Sequence, residues 1–248
     1  MLKVENVHKS YRVGGLFSRK KQQILHDVSF ECRSGECLGI IGESGSGKST
    51  LGRLILGIEQ PDQGAVLIEG NDVRNRQVRS GNMSAVFQDY TSSINPFYTV
   101  KEAIMEPLTA RGPVRSGQDA RVDRLLHQVG LNASYKTKYA HELSGGEAQR
   151  VCIARAIATE PKCIVLDEAI SSLDVSVQIQ VLRLLKELKD IYQMSYVFIT
   201  HDIQAAAYIC DRVLLFRSGK VEETIDVKQL KHVQSDYAKK LMEHLIAF

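Results

Sequence analysis

Short apolar runs of strand length alternate along this chain with segments in which apolar residues recur every three or four positions. The short runs predict strands at 2–7, 28–32, 36–41, 65–69, 83–87, 163–167, 196–199, 212–216 and 221–224. The longer segments predict helices at 51–56, 100–110, 119–129, 147–158, 175–191, 203–210 and 236–246. Strands that alternate with helices indicate an α/β protein with a largely parallel sheet covered on both faces. The first run alternates regularly, which favours a strand at a sheet edge.

Residues 89–161 depart from this alternation, because helical spacing dominates them between two predicted strands. We therefore expect a single domain whose core comprises 1–88 and 162–222, with a helical subdomain at 89–161 and a short tail at 223–248. Residues 12–23 are rich in glycine, lysine and arginine, which predicts a solvated hairpin loop.

The composition of the 248 residues is that of an ordinary globular protein, with 44% hydrophobic and 25% charged residues. No run of about 18 apolar residues occurs, and the N-terminus lacks the apolar segment of a signal peptide. We therefore expect a cytosolic chain. The five cysteines form no C-x-x-C pair, which favours buried thiols over disulfides or a metal site. A net charge of +3 is too mild to indicate a nucleic-acid partner.

One glycine-rich stretch, Gly42–Thr50, fits the pattern G-x-x-x-x-G-K-[ST] between a predicted strand and a predicted helix. Its fixed positions are Gly42, Gly47, Lys48 and Ser49. Glycines let successive backbone N–H groups point inward, and the N-terminus of a helix adds a partial positive charge. We expect Lys48 to reach the β- and γ-phosphates of a nucleotide and the Ser49 hydroxyl to ligate Mg²⁺. The stretch therefore predicts a nucleoside triphosphate site.

Two adjacent acidic residues, Asp167 and Glu168, close a predicted buried strand downstream of this loop. In a phosphate-loop enzyme an acidic residue at this position can hold Mg²⁺, and the next one can orient or deprotonate a water. Alone the pair is weak evidence, but after a phosphate loop it supports nucleotide hydrolysis.

A second glycine feature, Ser144-Gly145-Gly146-Glu147, opens a predicted helix. Bare N–H groups and a hydroxyl at a helix N-terminus can bind an anion. An ordinary serine N-cap followed by two glycines explains the same residues. A nucleotide in the first loop cannot also reach this helix if the helical insertion projects outward, so an anion site here requires a second chain.

These motifs together resemble the nucleotide-binding domain of ATP-binding-cassette (ABC) transporters over essentially the whole chain. The stretch 42–50 resembles the Walker A loop, and Leu143–Glu147 resembles the family signature. Residues 163–167 resemble the Walker B strand, with Glu168 as the catalytic glutamate. The resemblance implies a P-loop NTPase (RecA-like) core with a mainly parallel sheet, an antiparallel β edge and an inserted helical subdomain. It also implies ATPase activity with ATP and Mg²⁺.

Isolated residues acquire roles only through this resemblance. Tyr11 corresponds to the aromatic residue that stacks on adenine, and Gln88 to the Q-loop glutamine at Mg²⁺ or the attacking water. Asp174 lies in the D-loop, and His201 corresponds to the switch histidine at the γ-phosphate. The implied ATP contacts are Tyr11, Gly42, Glu43, Ser44, Gly45, Ser46, Gly47, Lys48, Ser49 and Thr50. The implied Mg²⁺ ligands are Ser49, Gln88 and Asp167.

The family resemblance also implies partners. Two such domains pair head to tail, with ATP between the Walker A loop of one and the signature of the other, here Ser144, Gly145, Gly146 and Glu147. The pair acts beneath two membrane permease subunits at the cytoplasmic face of the bacterial membrane, and an extracytoplasmic substrate-binding protein selects the cargo. The second ATPase is a sibling chain or a copy, and no nucleic acid is expected.

Two finer features bear on the cargo. The segment 87–96 resembles the Q-loop region of peptide and nickel importers. Ala169 and Ile170 replace the commoner Pro and Thr after Glu168, a variant that resembles nickel and metal–metallophore import ATPases. We expect import of nickel or a metal chelate, with dipeptide or oligopeptide import as the alternative. A soluble ABC ATPase in DNA repair or translation remains the alternative from a different class.

Overall fold

The structure is a computed structural model, and it describes residues 1–14, 20–89, 93–110, 112 and 117–246. Parts of the predicted loop 12–23 and of the segment 87–96 lie outside these ranges. The chain divides into two compact units, Met1–Arg79 with Ser195–Phe248, and Ser80–Met194. No helix in the described ranges is long and apolar enough to span a lipid bilayer.

The secondary structure follows the predicted order. The strands are β1 (Leu2–Arg12), β2 (Lys21–Cys32), β3 (Cys37–Ile41), β4 (Gln63–Ile68), β5 (Asn71–Asp72), β6 (Met83–Phe87), β7 (Cys163–Asp167), β8 (Ser195–Thr200), β9 (Arg212–Arg217) and β10 (Lys220–Asp226). The α-helices are α1 (Lys48–Ile55), α2 (Arg76–Arg79), α3 (Val100–Thr109), α4 (Gln118–Gln128), α5 (Gly145–Ile157), α6 (Val175–Tyr192), α7 (Ile203–Ile209) and α8 (Asp236–Ile246). Short 3₁₀ helices cover Ala133–Thr137, Ala140–Glu142 and Val227–His232. Among the elements of the described ranges, β5, α2 and the 3₁₀ turns were not predicted, because such short elements show no periodicity.

The first unit contains an antiparallel sheet in the order β2-β1-β4-β5. The hairpin of β1 and β2 closes with Arg12 opposite Lys21, so the connection between the two strands is shorter than the predicted loop 12–23. The prediction that β1 is an edge strand is wrong, because β1 also pairs with β4, with Leu2 opposite Ile68. Alternating burial shows that one face of a strand is covered, and it does not distinguish an edge strand from an interior one.

Strands β8, β3 and β9 of the first unit are parallel, and β10 pairs antiparallel with β9. All residues of β3 and β8 are buried, as expected for strands covered on both faces. The parallel register places Ile41 beside Thr200 on one side and Leu215 on the other. The loop after β3 therefore begins between the carboxyl ends of two parallel neighbours, where α/β proteins bind ligands.

In the second unit, β6 and β7 are parallel, with Phe87 beside Asp167. Helices α3, α4, α5 and α6 belong to the same unit. Thr99 begins α3 with a capping box, in which its Oγ1 accepts from the Glu102 N–H at 3.3 Å and its N–H donates to the Glu102 carboxylate at 2.7 Å. All five cysteines of the chain are buried thiols, as predicted.

Candidate functional site

The glycine-rich loop follows β3 and leads into α1, as predicted. A Cβ on Gly42 would lie 2.0 Å from the backbone oxygen of Phe216, so only glycine fits beside β9. Gly45 and Gly47 have φ angles of 78° and 104°, in the left-handed region that favours glycine. The glycines are therefore required by the shape of the turn and by its close packing.

The lysine of this loop is buried, with 6% of its surface exposed. The Nζ of Lys48 donates to the backbone oxygens of Gly42 at 2.7 Å and Glu43 at 2.9 Å. The Oγ of Ser46 is also buried and has no hydrogen-bond partner among the described residues. A buried ammonium, a buried hydroxyl with unused bonding capacity and the start of α1 together favour an anionic ligand.

His201 lies at the same sheet edge as this loop. Because Ile41 is paired with Thr200 in the parallel register, His201 follows β8 where Gly42 follows β3. The His201 side chain is exposed. Its neighbour Asp202 caps α7, accepting from the N–H groups of Gln204 and Ala205 at 2.8 and 3.1 Å, and so fixes the backbone after the histidine.

Tyr11 is near the end of β1, and its ring is half-buried. Its hydroxyl donates to the Glu59 carboxylate and accepts from Nη2 of Arg53 at 3.4 Å. The same Nη2 donates to Oγ1 of Thr50, in the phosphate loop, at 3.2 Å. Arg53 and Glu59 were not predicted as site residues, since nothing in the local sequence pattern marks them.

In the second unit, Asp167 ends β7 and Glu168 follows with a left-handed φ of 50°. The carbonyl of Glu168 accepts from the N–H and the Oγ of Ser171, at 3.2 and 2.9 Å, which stabilises the turn. Non-glycine residues adopt this conformation at an energetic cost, and such residues concentrate at functional sites. Gln88 and Glu168 each follow one residue of the last pair, Phe87 and Asp167, and Oγ of Ser172 donates to the Gln88 carbonyl at 3.5 Å.

Asp174 is the N-cap residue of α6, and its side chain is exposed and makes no capping hydrogen bond. The turn before it is fixed by Gln178, whose Nε2 donates to the carbonyls of Ile170 and Leu173 at 3.1 and 2.9 Å. Ala169 and Ile170, the two unusual residues of this segment, are each 2% exposed. They are therefore buried and present no side chain to a ligand.

The second glycine feature begins α5 with Ser144 as the N-cap. Ser144 Oγ accepts from the Glu147 N–H at 3.4 Å, and the Glu147 carboxylate accepts from the N–H and Oγ of Ser144 at 2.7 and 2.8 Å. Tyr135 donates a further hydrogen bond to this carboxylate. The hydrogen bonds from Tyr135 and then Ser144 lower the pKa of Glu147 from 4.5 to about 2. Part of the predicted anion site is thus taken by the chain's own carboxylate.

Helix α5 is attached to the start of α6 within the same unit. A Cβ on Gly146 would lie 2.9 Å from Cγ1 of Val177, so this close packing favours glycine at position 146. Gln149 is fully buried and donates to the carbonyl of Ala169, two residues after the end of β7. The contact joins residues 20 positions apart, so a sequence pattern alone gives no signal for it.

The predicted site residues are thus divided between the two units. The first unit carries Tyr11, Gly42, Glu43, Ser44, Gly45, Ser46, Gly47, Lys48, Ser49, Thr50 and His201. The second carries Gln88, Ser144, Gly145, Gly146, Glu147, Asp167, Glu168 and Asp174.

Comparison with known proteins gives a consistent result. A protein-family model described as ABC transporter matches residues 25–171 of this chain. The chain is 49% identical to the ATP-binding protein of the metal-staphylopine import system of Staphylococcus aureus, over all of both chains. It is 38% identical to a nickel import ATP-binding protein of Escherichia coli, covering 99% of this chain and 94% of the relative. It is 39% identical to an oligopeptide transport ATP-binding protein of Bacillus subtilis, covering 90% and 71%.

Solved structures agree with these relatives. A dimeric ATP-binding cassette in a post-hydrolysis state bound to ADP and Pi has a TM-score of 0.81 and 30% identity, covering 92% of this chain and 99% of that one. A further dimeric structure of a bacterial ABC transporter cassette has a TM-score of 0.82 with the same coverage. The predicted α/β P-loop NTPase fold is confirmed, and the chain belongs to the ABC transporter family.

Proposed function

We propose that this chain is the ATP-hydrolysing subunit of an ABC importer and that a head-to-tail dimer couples hydrolysis to uptake of nickel or a metal chelate. The observation that carries the ATPase assignment is the loop around Lys48. Its buried ammonium, the Ser46 hydroxyl without a partner among the described residues and the start of α1 converge on one turn. The family assignment identifies the anion that fits there as the phosphate chain of ATP.

The phosphates bind in the loop 42–50, and Lys48 exchanges its contacts with backbone carbonyls for contacts with the β- and γ-phosphates. Such an exchange keeps the ammonium hydrogen-bonded in both states, which a buried charge requires. Tyr11 stacks on the adenine base.

The residues proposed for Mg²⁺ supply the oxygen ligands that this ion prefers. Ser49 is exposed beside the buried Lys48, and Asp167 is half-buried at the end of β7. Gln88 follows Phe87, the residue that pairs with Asp167, and supplies an amide oxygen. When bound, Mg²⁺ neutralises part of the negative charge on the phosphates.

Glu168 orients or deprotonates the attacking water, and His201 contacts the γ-phosphate. The left-handed backbone of Glu168 is held by the two donors of Ser171, which supports a fixed position for its carboxylate. Fixed placement of a base relative to the nucleophile is a main source of catalysis in phosphoryl transfer.

A second ATPase subunit, a sibling chain or a copy, completes each site. Ser144, Gly145, Gly146 and Glu147 act on ATP held by the partner, and Asp174 lies at the same interface. The dimeric cassettes among the similar structures support pairing. We place the signature in a helical subdomain at 89–161, inserted in a core of 1–88 and 162–222, with 223–248 as a tail.

The importer also contains two membrane permease subunits, which hold the ATPases at the cytoplasmic face of the bacterial membrane, and an extracytoplasmic substrate-binding protein. A cavity of about 450 Å³ in the second unit supports a permease contact, since it opens beside the Q-loop. Its lining includes Phe87, Asp89, Ser93, Pro107, Cys152 and Arg155.

Nickel or a metal chelate is the proposed cargo, because the metal-staphylopine relative matches this chain over its full length. Dipeptide or oligopeptide import is the alternative, favoured by the oligopeptide transport relative. In cells lacking the chain, uptake of labelled nickel, alone and as a chelate, should return with the wild-type gene and not with Glu168→Gln. Peptide uptake that depends on the gene while metal uptake does not would overturn the cargo assignment.

The hydrolysis mechanism is tested with Glu168→Gln in the purified chain. We expect ATP affinity to be retained and phosphate release to fall on the order of a hundredfold or more, leaving a stable ATP-bound dimer. The matched control is Glu187→Gln, an exposed glutamate on α6 that should hydrolyse at the wild-type rate. Hydrolysis by Glu168→Gln at the wild-type rate would show that Glu168 is not the base.

A further inference from the structure

We propose that Arg53 is a positioning residue for nucleotide binding, which fixes the Tyr11 ring relative to the phosphate loop and so sets the preference of the site for a base. The inference rests on the proposed ATP site. Arg53 lies on α1, one turn after Thr50, and does not belong to the loop motif.

The arginine contacts both ends of the expected nucleotide site. One nitrogen, Nη2, donates to Oγ1 of Thr50 at 3.2 Å and to the hydroxyl of Tyr11 at 3.4 Å. A second nitrogen, Nε, donates to Oε1 of Glu59 at 2.6 Å. Tyr11 donates to the other oxygen of the same carboxylate. The Tyr11 hydroxyl thus donates to Glu59 and accepts from Arg53, and these two residues are hydrogen-bonded to each other.

Opposite charges strengthen this arrangement. The hydrogen bond with Tyr11 raises the pKa of Arg53. Burial opposes ionisation of Glu59, yet hydrogen bonds from Tyr11 and Arg53 lower the pKa of its carboxyl below the ordinary value. Both groups are therefore charged at neutral pH, and charge-assisted hydrogen bonds are the stronger kind. A planar guanidinium with several fixed donors holds two partners at a defined angle, which a lysine cannot do.

The faces of the Tyr11 ring are not equivalent. The Nζ of Lys9 lies 5.3 Å from the ring centroid, over one face, and donates to the carbonyl of Gln60 at 2.7 Å. Lys9 also pairs with Glu59 at 3.5 Å. In the proposal, the base stacks on the opposite face. Because the phenol oxygen is anchored, this face keeps one orientation relative to Thr50.

The test separates recognition of the base from recognition of the phosphates. Binding of Mg·ATP and of Mg·tripolyphosphate, which has no base, is measured by calorimetry on the purified chain. Tyr11→Ala removes the ring and should weaken ATP binding about tenfold or more, the range known for base–aromatic stacking. Arg53→Met, which keeps the apolar stem, should weaken ATP binding roughly three- to tenfold and tripolyphosphate binding less than about twofold.

Two further variants show whether Arg53 acts through the Tyr11 hydroxyl. Tyr11→Phe keeps the ring and loses only the anchored hydroxyl, so it should shift the ATP-to-tripolyphosphate ratio in the same direction as Arg53→Met. Arg74→Met is the matched control, since Arg74 is 55% exposed and pairs with Asp72. It should change neither affinity.

Equal weakening of ATP and tripolyphosphate in Arg53→Met would overturn the inference, because Arg53 would then act on the phosphate loop itself. Unchanged ATP binding in both Arg53→Met and Tyr11→Phe would overturn it as well. A wild-type chain that binds tripolyphosphate and ATP equally tightly refutes the inference about Arg53 but not the proposal that the loop 42–50 binds phosphates. A wild-type chain that binds neither refutes the proposed function and the inference together.

Discussion

Removing the Tyr135 hydroxyl should destabilise the start of the signature helix in a way that depends on pH. Tyr135→Phe deletes one of three donors to the Glu147 carboxylate and leaves the two from Ser144. The lowering of the Glu147 pKa from 4.5 to about 2 corresponds to at most roughly 3 kcal/mol of stabilisation of its charged form. Glu147 is partly exposed, so solvent screening reduces this figure. We expect Tyr135→Phe to cost about 1 kcal/mol at pH 7.

The pH dependence follows from the direction of the shift. A carboxyl whose pKa is lowered by folding contributes its full stabilisation above its unfolded pKa, here near 4.5, and loses it as the pH falls towards 2. The difference between wild type and Tyr135→Phe should therefore be largest at neutral pH and shrink below about pH 4.5.

Thermal unfolding at several pH values measures this difference. For a chain of this size, 1 kcal/mol corresponds to about 2–4 °C in Tm. Tyr139→Phe is the matched control, because Tyr139 is 40% exposed and lies on the same segment before α5. A Tm difference for Tyr135→Phe that is the same at pH 7 and pH 3, or no larger than that of Tyr139→Phe, would show that the Tyr135 hydroxyl does not act through the charged Glu147 carboxylate.

Two further predictions concern the phosphate loop. Lys48→Ala should weaken ATP binding about tenfold or more, since it removes a charged donor to phosphate. Unchanged ATP affinity in calorimetry would show that Lys48 does not contact the phosphates. Gly42→Ala should lower Tm by several degrees, because its Cβ would lie 2.0 Å from the backbone oxygen of Phe216. The control Gly45→Ala meets no atom within 4 Å and carries only the cost of its left-handed φ, about 1 kcal/mol. A smaller Tm loss for Gly42→Ala than for Gly45→Ala would contradict the packing argument.

Strands and helices of the chain were predictable where the periodicity is long. Strand Cys163–Asp167 and helix Asp236–Ile246 have the bounds predicted from the sequence. The bounds of such elements can be read from the local sequence, because turn residues flank each apolar run. The position of β1 between two strands was not predictable, because alternating burial is the same at an edge and in the interior of a sheet.

Motif residues were also predictable, because the loop glycines and Lys48 are fixed by local geometry. The side chains that support them were not. Tyr11 and Glu59 are 48 positions apart, and Tyr135 and Glu147 are 12 apart, so their pairing arises only after folding. Tyr237 is a similar case, since its hydroxyl accepts from the Glu43 N–H at 3.3 Å across 194 positions.

The charge at the two glycine features explains why a single chain is insufficient for the proposed mechanism. A helix N-terminus carries roughly half a positive charge. At α1 the buried Lys48 ammonium adds a full positive charge, so this loop alone can attract phosphates. At α5 the ionised Glu147 carboxylate more than offsets the helix dipole, and it already accepts the proton of the Ser144 hydroxyl. This difference in charge supports the proposal that residues 144–147 act on a nucleotide held by another subunit.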